Sequence, residues 1–158
     1  MMDVTIRKAE TGDIDGIINL LLQISLLHRK GRPDICNGGQ SYTPEELELL
    51  IKDRNRHSFV AVVDAGYVVG LCLCEIMRYT EAKFMSKRTL LYIHDFGVDE
   101  SYRSQGIGTK LFSAVKEYAA SIGAYDIELG VWEFNKNAIQ FYERCGFSVQ
   151  RRRMELIL

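Results

Sequence analysis

The period of the apolar positions changes along the chain, and each change predicts an element. Val4 and Ile6 alternate with Thr5 and Arg7, which predicts a strand from Val4 to Lys8. Ile14, Ile17, Ile18, Leu21 and Leu22 then recur at helical spacing, behind a helix start made of Thr11, Asp13 and Asp15. That run reaches Leu27. The charged, glycine- and proline-bearing stretch from His28 to Asp34 is expected to break it, and Asn37 to Ser41 reads as loop. Thr43-Pro44-Glu45-Glu46 is a helix start, with a cap, a proline at the first helical position and the glutamate of a capping box. Leu47, Leu50 and Ile51 follow on one face.

From Phe59 the apolar residues become continuous. Phe59 to Val63 reads as a strand, Asp64-Ala65-Gly66 as a turn, and Tyr67 to Arg78 as a long returning strand. Thr89 to Val98 is the next strand. These connections are too short for crossovers, so the three should form an antiparallel meander. Thr109 to Ile122 reads as a helix ended by Gly123, and Tyr125 to Val131 as a strand reached through that helix, hence parallel to the previous one. Asn135 or Asn137 opens a last helix whose following glycine is Gly146, with Phe147 packing back. Arg152 to Leu158 is expected as a final strand. The order β-α-α-β-β-β-α-β-α-β describes an α+β fold with a mixed, mostly antiparallel sheet flanked by helices. With no repeat, low-complexity tract or linker, residues 1–158 read as one domain.

The segment between the Leu90–Val98 run and the helix after it carries the chemistry. It reads Val98-Asp99-Glu100-Ser101-Tyr102-Arg103-Ser104-Gln105-Gly106-Ile107-Gly108-Thr109. A glycine-bearing turn that enters a helix leaves backbone N–H groups without partners, at the positive end of the helix dipole. Glycine lets that backbone approach an anion closely, and Arg103 can add a forked, permanently charged donor. A third glycine of a dinucleotide fingerprint is missing, and so is the Gly-Lys-Ser/Thr of a nucleotide P-loop.

The arrangement of strand, Tyr-Arg-x-x-Gly-Ile-Gly and helix resembles the acetyl-CoA pyrophosphate loop of the GNAT superfamily of N-acetyltransferases. A second match follows at Asn135-Lys136-Asn137-Ala138-Ile139-Gln140-Phe141-Tyr142-Glu143-Arg144-Cys145-Gly146-Phe147, similar to the family's Asn-x-x-Ala-x-x-Phe-Tyr-x-x-x-Gly-Phe segment. The resemblance covers most of the chain and is weaker before residue 60. It implies that the parallel pair near Val98 and Val131 splays apart to admit the pantetheine arm. It implies pyrophosphate binding by Arg103, Ser104, Gln105, Gly106, Ile107, Gly108 and Thr109. It also implies thioester contacts at Phe96, Gly97 and Val98, and contacts to the arm and sulfur from Asn135, Ala138 and Tyr142.

Acetyl transfer to an amine requires a polarised carbonyl, a deprotonated amine and a stabilised leaving thiolate. Gly97 inside a strand fits a bulge or a close ligand approach. Tyr142 matches the family tyrosine facing the sulfur, and a phenol is protonated at neutral pH. Its helical spacing with Ala138 equally fits a core aromatic. His94 stands where similar small-amine acetyltransferases carry a glutamate, and imidazole accepts a proton near neutrality. Asp95 is expected on the opposite face of a regular strand, and Glu75 on the neighbouring strand is a further candidate base. Many family members work through water instead. The basic run from His28 to Arg32 lies where relatives contact the acceptor, and also reads as a solvated loop.

Composition narrows the partners. The chain is 47% hydrophobic and 26% charged with a net charge of −1, so nothing global points to nucleic acid or an anionic membrane. Arg151-Arg152-Arg153 alone is weak evidence for nucleic acid. The apolar runs fall short of the ~20 residues of a membrane span, and no signal-like segment opens the chain, so a cytoplasmic location is expected. Cys36, Cys72, Cys74 and Cys145 have no metal-ligand spacing, and Cys72 and Cys74 should share one strand face as small hydrophobes. The expected function is transfer of an acetyl group from acetyl-CoA to a primary amine, on a small molecule or a protein, with no metal. A homodimer is left open. The alternative is an acyl-CoA-binding module without catalysis.

Overall fold

The computed structural model describes residues 3–81 and 83–158. Nine elements follow in the order β1 (Thr5–Lys8), α1 (Ile14–Gly31), α2 (Pro44–Lys52), β2 (Arg56–Val63), β3 (Tyr67–Tyr79), β4 (Arg88–Val98), α3 (Ile107–Ser121), β5 (Asp126–Leu129) and α4 (Lys136–Arg144). The five strands form one sheet in sequence order. The first four are antiparallel neighbours, and β5 joins β4 as the parallel pair expected from the intervening helix. The class is the mixed α+β sheet read from the sequence.

Helices cover both faces of the sheet, which is why β2 and β3 read as nearly continuous apolar runs. On one face Ile17, Leu20 and Leu21 of α1 and Leu47, Leu50 and Ile51 of α2 pack on Val60, Val62, Leu71 and Leu73. On the other, Leu111, Phe112, Val115 and Ala119 of α3 pack on Phe59, Cys72, Cys74, Leu91 and Ile93. Phe141, Cys145 and Phe147, from α4 and the turn after it, close that layer. Cys72 and Cys74 do share a face, as buried free thiols.

Three boundaries differ from the sequence reading. First, α1 does not break at His28; it runs to Gly31. Its last turn carries His28, Arg29 and Lys30, where cations complement the carbonyl end of the helix dipole. Second, β2 starts at Arg56, because its ladder with β3 extends three residues past the apolar run to Arg56–Glu75. Third, the final strand is not formed. Residues 147–158 carry no regular element, and Met154, Leu156, Ile157 and Leu158 are exposed. Strand-like alternation makes a strand only where an edge supplies ladder partners, and this segment takes none within its own chain. The capping predictions were sound: Thr43 and Glu46 form the capping box of α2.

The chain start is tied down by one ion pair. Arg7 on β1 donates two hydrogen bonds to the Asp13 carboxylate, at 2.7 and 2.9 Å, and Glu10 N–H donates to the same group. The bonds from Arg7 hold the Asp13 pKa below its ordinary value. The charge-assisted pair should contribute on the order of 1–3 kcal/mol. This stabilisation is complete above the unfolded carboxylate pKa of ~3.9 and disappears as pH falls through the lower folded value. Urea unfolding of Asp13→Asn should therefore show a loss at pH 7 that shrinks towards zero in strong acid.

Candidate active site

Pairing between β4 and β5 runs from Leu90–Asp126 to Ile93–Leu129 and stops. Beyond it, β4 continues from His94 to Val98 bonded only to β3. One edge of this strand end is therefore open, and the candidate site lies along it.

The anion loop borders the open edge. After β4 the chain makes a 3-10 turn from Glu100 to Tyr102, then enters α3 through Gly106. Gly106 has φ 79°, a left-handed backbone that glycine adopts without strain. Ser104 has φ 62° and is the one described non-glycine residue with positive φ. Such a conformation costs of order 1–3 kcal/mol, and it lies in the loop read from the sequence as a phosphate cradle. The N-caps of α2 and α4 accept a hydrogen bond from their helix, whereas Gly106 gives α3 no side-chain cap. The first amides of α3 are thus left for another acceptor. Ile107 is a buried anchor packed with Ala61, Val63 and Val69, so only its backbone can face a ligand. Arg103 donates from Nε to the carbonyl of Val98 at 3.0 Å, which holds its guanidinium at the strand end.

Gln23 of α1 fixes the start of this loop. Its Nε2 donates to Asp99 at 2.7 Å, and its Oε1 accepts from Glu100 N–H at 3.2 Å. Nothing local in the sequence marks this residue, because its partners are 76 and 77 positions away.

Aromatic rings wall the opposite side. Phe96 stacks on Phe141 at 5.4 Å and meets Tyr142 edge-on at 6.2 Å. A Cβ at Gly108 would stand 3.3 Å from the Phe141 ring, so the first turn of α3 lies against α4. Burial, reinforced by Cys72, Cys145 and Asp95, raises the Tyr142 phenol above its ordinary pKa, so the hydroxyl keeps its proton. Asn135 caps α4 through Oδ1, which accepts from Ala138 N–H at 3.2 Å. The cap takes up the Ala138 amide and leaves the Asn135 amide nitrogen as a donor. A groove of about 380 Å³ runs between α3 and α4 past Thr109, Ser113, Lys116, Phe141 and Arg144. Lys116 and Arg144 give this groove positive charge.

The candidate bases lie on the α1/α2 face. The β3–β4 register shifts so that Leu73 faces Asp95 and Cys74 faces Ile93, leaving His94 as the bulged residue. Two sequence expectations change as a result. The bulge is at His94 and not at Gly97, which pairs regularly with Leu71. Asp95 also does not take the face opposite His94: Asp95 pairs with Leu73 of the α1/α2 core, and His94 bonds Glu75, two residues further along the same face of β3. Glu75 takes Arg56 Nη2 at 3.1 Å and His94 Nε2 at 2.8 Å on the same oxygen. A proton on Nε2 donated to Glu75 leaves Nδ1 as the acceptor of the ring. Asp95 accepts from the Tyr42 hydroxyl at 3.3 Å. Burial raises its pKa, opposed by Tyr42, His94 and His28. Burial also drives Tyr42 up to about 12 and lowers His28.

His28 leads from this pair to an aromatic cluster absent from the sequence reading. Its ring meets Trp132 and Phe134 edge-on at 6.3 and 6.4 Å, and Trp132 stacks on Phe134. Arg32 lies over Trp132 at 5.8 Å. The one tryptophan in the chain, placed just after the parallel strand, was the available signal. Among the described residues, no group of three or more His, Cys, Asp or Glu could hold a metal ion. Among the described residues, no helix is long and apolar enough to cross a membrane.

The comparisons with known proteins identify the family. Residues 25–147 match the family model described as the acetyltransferase (GNAT) family, and the chain belongs to that family. It is 38% identical to the thialysine N-epsilon-acetyltransferase of Bos taurus, over 92% of this chain and 85% of that protein. It is 31% identical to an uncharacterised N-acetyltransferase of Methanocaldococcus jannaschii, over 90% of this chain but only 60% of that protein. The crystal structure of a tetramutant Bacillus halodurans protein superposes with a TM-score of 0.94 at 28% identity, covering 98% of this chain and 99% of that one.

Gly97 is where α1 presses on the site. A Cβ there would stand 2.9 Å from Ile24 Cδ1. Gly97→Ala should destabilise the fold by about 1–3 kcal/mol through overpacking. The double variant with Ile24→Val should recover part of that loss in urea unfolding.

Proposed function

We propose that this protein transfers an acetyl group from acetyl-CoA to a primary amine by direct attack. The observation that carries the reading is the open edge of β4. On one side of it lie an uncapped helix start, a positively charged groove and a protonated phenol. On the other lie a paired histidine and a buried carboxylate. A diphosphate fits the first set: the free α3 amides and Arg103 are donors, and Gly106 leaves its approach clear, with nothing within 4 Å of a Cβ built there. Lys116 and Arg144 suit the more distant phosphate of the same donor. The thioester supplies the activated acetyl group. Phe96 and Val98, on either side of Gly97, offer main-chain donors on the open edge for its carbonyl oxygen, and Asn135 contributes its amide nitrogen to the arm.

Each titratable side chain has one task in this reading. His94, oriented by Glu75, takes a proton from the attacking amine at Nδ1. Asp95, with Tyr42, attracts the cationic form of the acceptor into the site, and His28, Trp132 and Phe134 line its approach. Aromatic faces beside a carboxylate suit an alkylammonium group. The name of the Bos taurus relative specifies a terminal amine of that kind, which supports an alkylamine acceptor. Tyr142 keeps its proton until the thiolate leaves, then donates it. A cytoplasmic setting fits the use of acetyl-CoA.

The test is thiol release from acetyl-CoA with a panel of alkylamines, amino sugars and lysine peptides. CoA binding without turnover on any amine would instead favour a binding module. On an active amine, His94→Ala should cost about 10²–10⁴ in kcat, the range of general base catalysis. Unchanged turnover in that variant would remove His94 from the reaction.

Tyr142→Phe should lower kcat and kcat/KM together, by on the order of 10²-fold, because the hydroxyl acts only in the transition state. The ring and its packing remain, so KM for acetyl-CoA should stay unchanged. Full kcat without a pre-steady-state burst would rule out the acid role.

A further inference from the structure

Helix α1 reaches the anion loop through one side chain, and that side chain closes the first half of the loop. Gln23 Nε2 donates to Asp99 Oδ2 at 2.7 Å, and its Oε1 accepts from Glu100 N–H at 3.2 Å. Asp99 Oδ1 accepts from Ser101 N–H at 2.9 Å, and the Asp99 carbonyl accepts from Tyr102 N–H at 2.9 Å. Arg103 N–H reaches the Glu100 carbonyl at 3.5 Å. Each amide from Glu100 to Arg103 therefore has an acceptor inside the protein. The second half is different. Among the described residues, the amides of Ser104, Gln105 and Gly106 take no backbone acceptor, and Ile107, Gly108 and Thr109 open α3, where a helix leaves its first amides free.

This open half is held under strain. Ser104 keeps φ 62°, and a non-glycine residue stays in that conformation only where its surroundings over-determine it. Two anchors do so. Downstream, Ile107 is buried at 2% exposure. Upstream, the anchor is Gln23, because the bond from Arg103 to the Val98 carbonyl ties the loop only to the strand it leaves. Gln23 starts from a rigid turn of α1, since its neighbour Ile24 packs where a Cβ on Gly97 would stand. The Gln23 amide and Ser101 N–H together engage both oxygens of the Asp99 carboxylate. Left unpinned, a carboxylate this close along the chain would compete with a ligand for the open amides.

We propose that Gln23 is a positioning residue for the diphosphate of the acyl donor. It acts through Asp99 and Glu100, whose pinning keeps the amides from Ser104 onward in their binding arrangement. The inference rests on the donor reading given above and adds to it the side chain that sets the cradle. The groups assigned to the transfer step lie on β4 and α4, so loss of Gln23 weakens the hold on the diphosphate and leaves that step in place.

The test compares acetyl-CoA with acetyl-pantetheine, a donor that lacks the diphosphate. Gln23→Leu keeps a helix-forming side chain and removes both hydrogen bonds. Its affinity for CoA, measured by calorimetry, should fall about tenfold, the scale of one N–H left unpaired. KM for acetyl-CoA should rise by the same factor, while kcat at saturation changes by less than about twofold. The kcat/KM for acetyl-pantetheine should match that of the wild type. Gln23→Glu sets a carboxylate against Asp99 and should also weaken CoA binding. Adding Asp99→Asn to that variant reverses donor and acceptor in the same bond, and should restore the affinity. Unchanged CoA affinity in Gln23→Leu, an equal loss with both donors, or no rescue by the exchanged pair would overturn the proposal. Failure of all these variants to fold would make Gln23 a purely structural residue and overturn it as well. A wild-type chain that binds no CoA would overturn the donor reading itself, and this inference with it.

Discussion

Two parallel strands stay joined only while their edges remain in register, and β4 and β5 separate after Ile93 and Leu129. From there β4 projects with one row of backbone groups free, in a crevice that helices wall on both sides. Backbone polar groups in such a place need partners. A thioester carbonyl and an amide-rich arm are chemically suited to them. The anion loop, the aromatic wall and the candidate bases are all positioned by this strand end, so moving it would dismantle all three.

Helix α1 holds the strand end in place. Ile24 lies where a Cβ on Gly97 would stand, Gln23 bonds both Asp99 and Glu100, and Phe134 lies where Gly31 would carry a Cβ. One helix therefore supports β4, the entrance to the anion loop and the loop after β5. Rigid support of this sort is what a reaction needs when its groups must meet within fractions of an ångström.

The electrostatics divide the site along β4. Towards α3 and α4, burial keeps a phenol protonated beside free amides and positive charge. Towards α1 and α2, carboxylates and imidazoles gather around the bulge at His94. A donor with phosphates and an acceptor with an ammonium group would each meet complementary charge, and the open strand edge is where they would converge.

Most of the fold was legible in the sequence because its signals are local. Period, caps and turn glycines placed eight of the nine elements within three residues at each end, and even for α1 they missed only the extent of its last turns. The loop from Arg103 to Thr109 and the segment around Tyr142 could likewise be read as motifs, since each lies on consecutive residues. What the sequence could not show depends on register and on distance along the chain. Alternation assigned Asp95 to the wrong face, because a single bulged residue, visible only in the pairing of β3 with β4, reverses the parity of the strand. Gln23, Tyr42, Arg56 and Trp132 join the site through partners on other elements. The stretch from Arg152 to Leu158 has the period of a strand but no ladder within its chain. The sequence by itself determined which segments could be helix or strand and which loop could hold an anion, because backbone propensity and side-chain period are written residue by residue. Only the tertiary structure decided which side chains face the open edge of β4, because that depends on where two strands part and on what a distant helix brings against them.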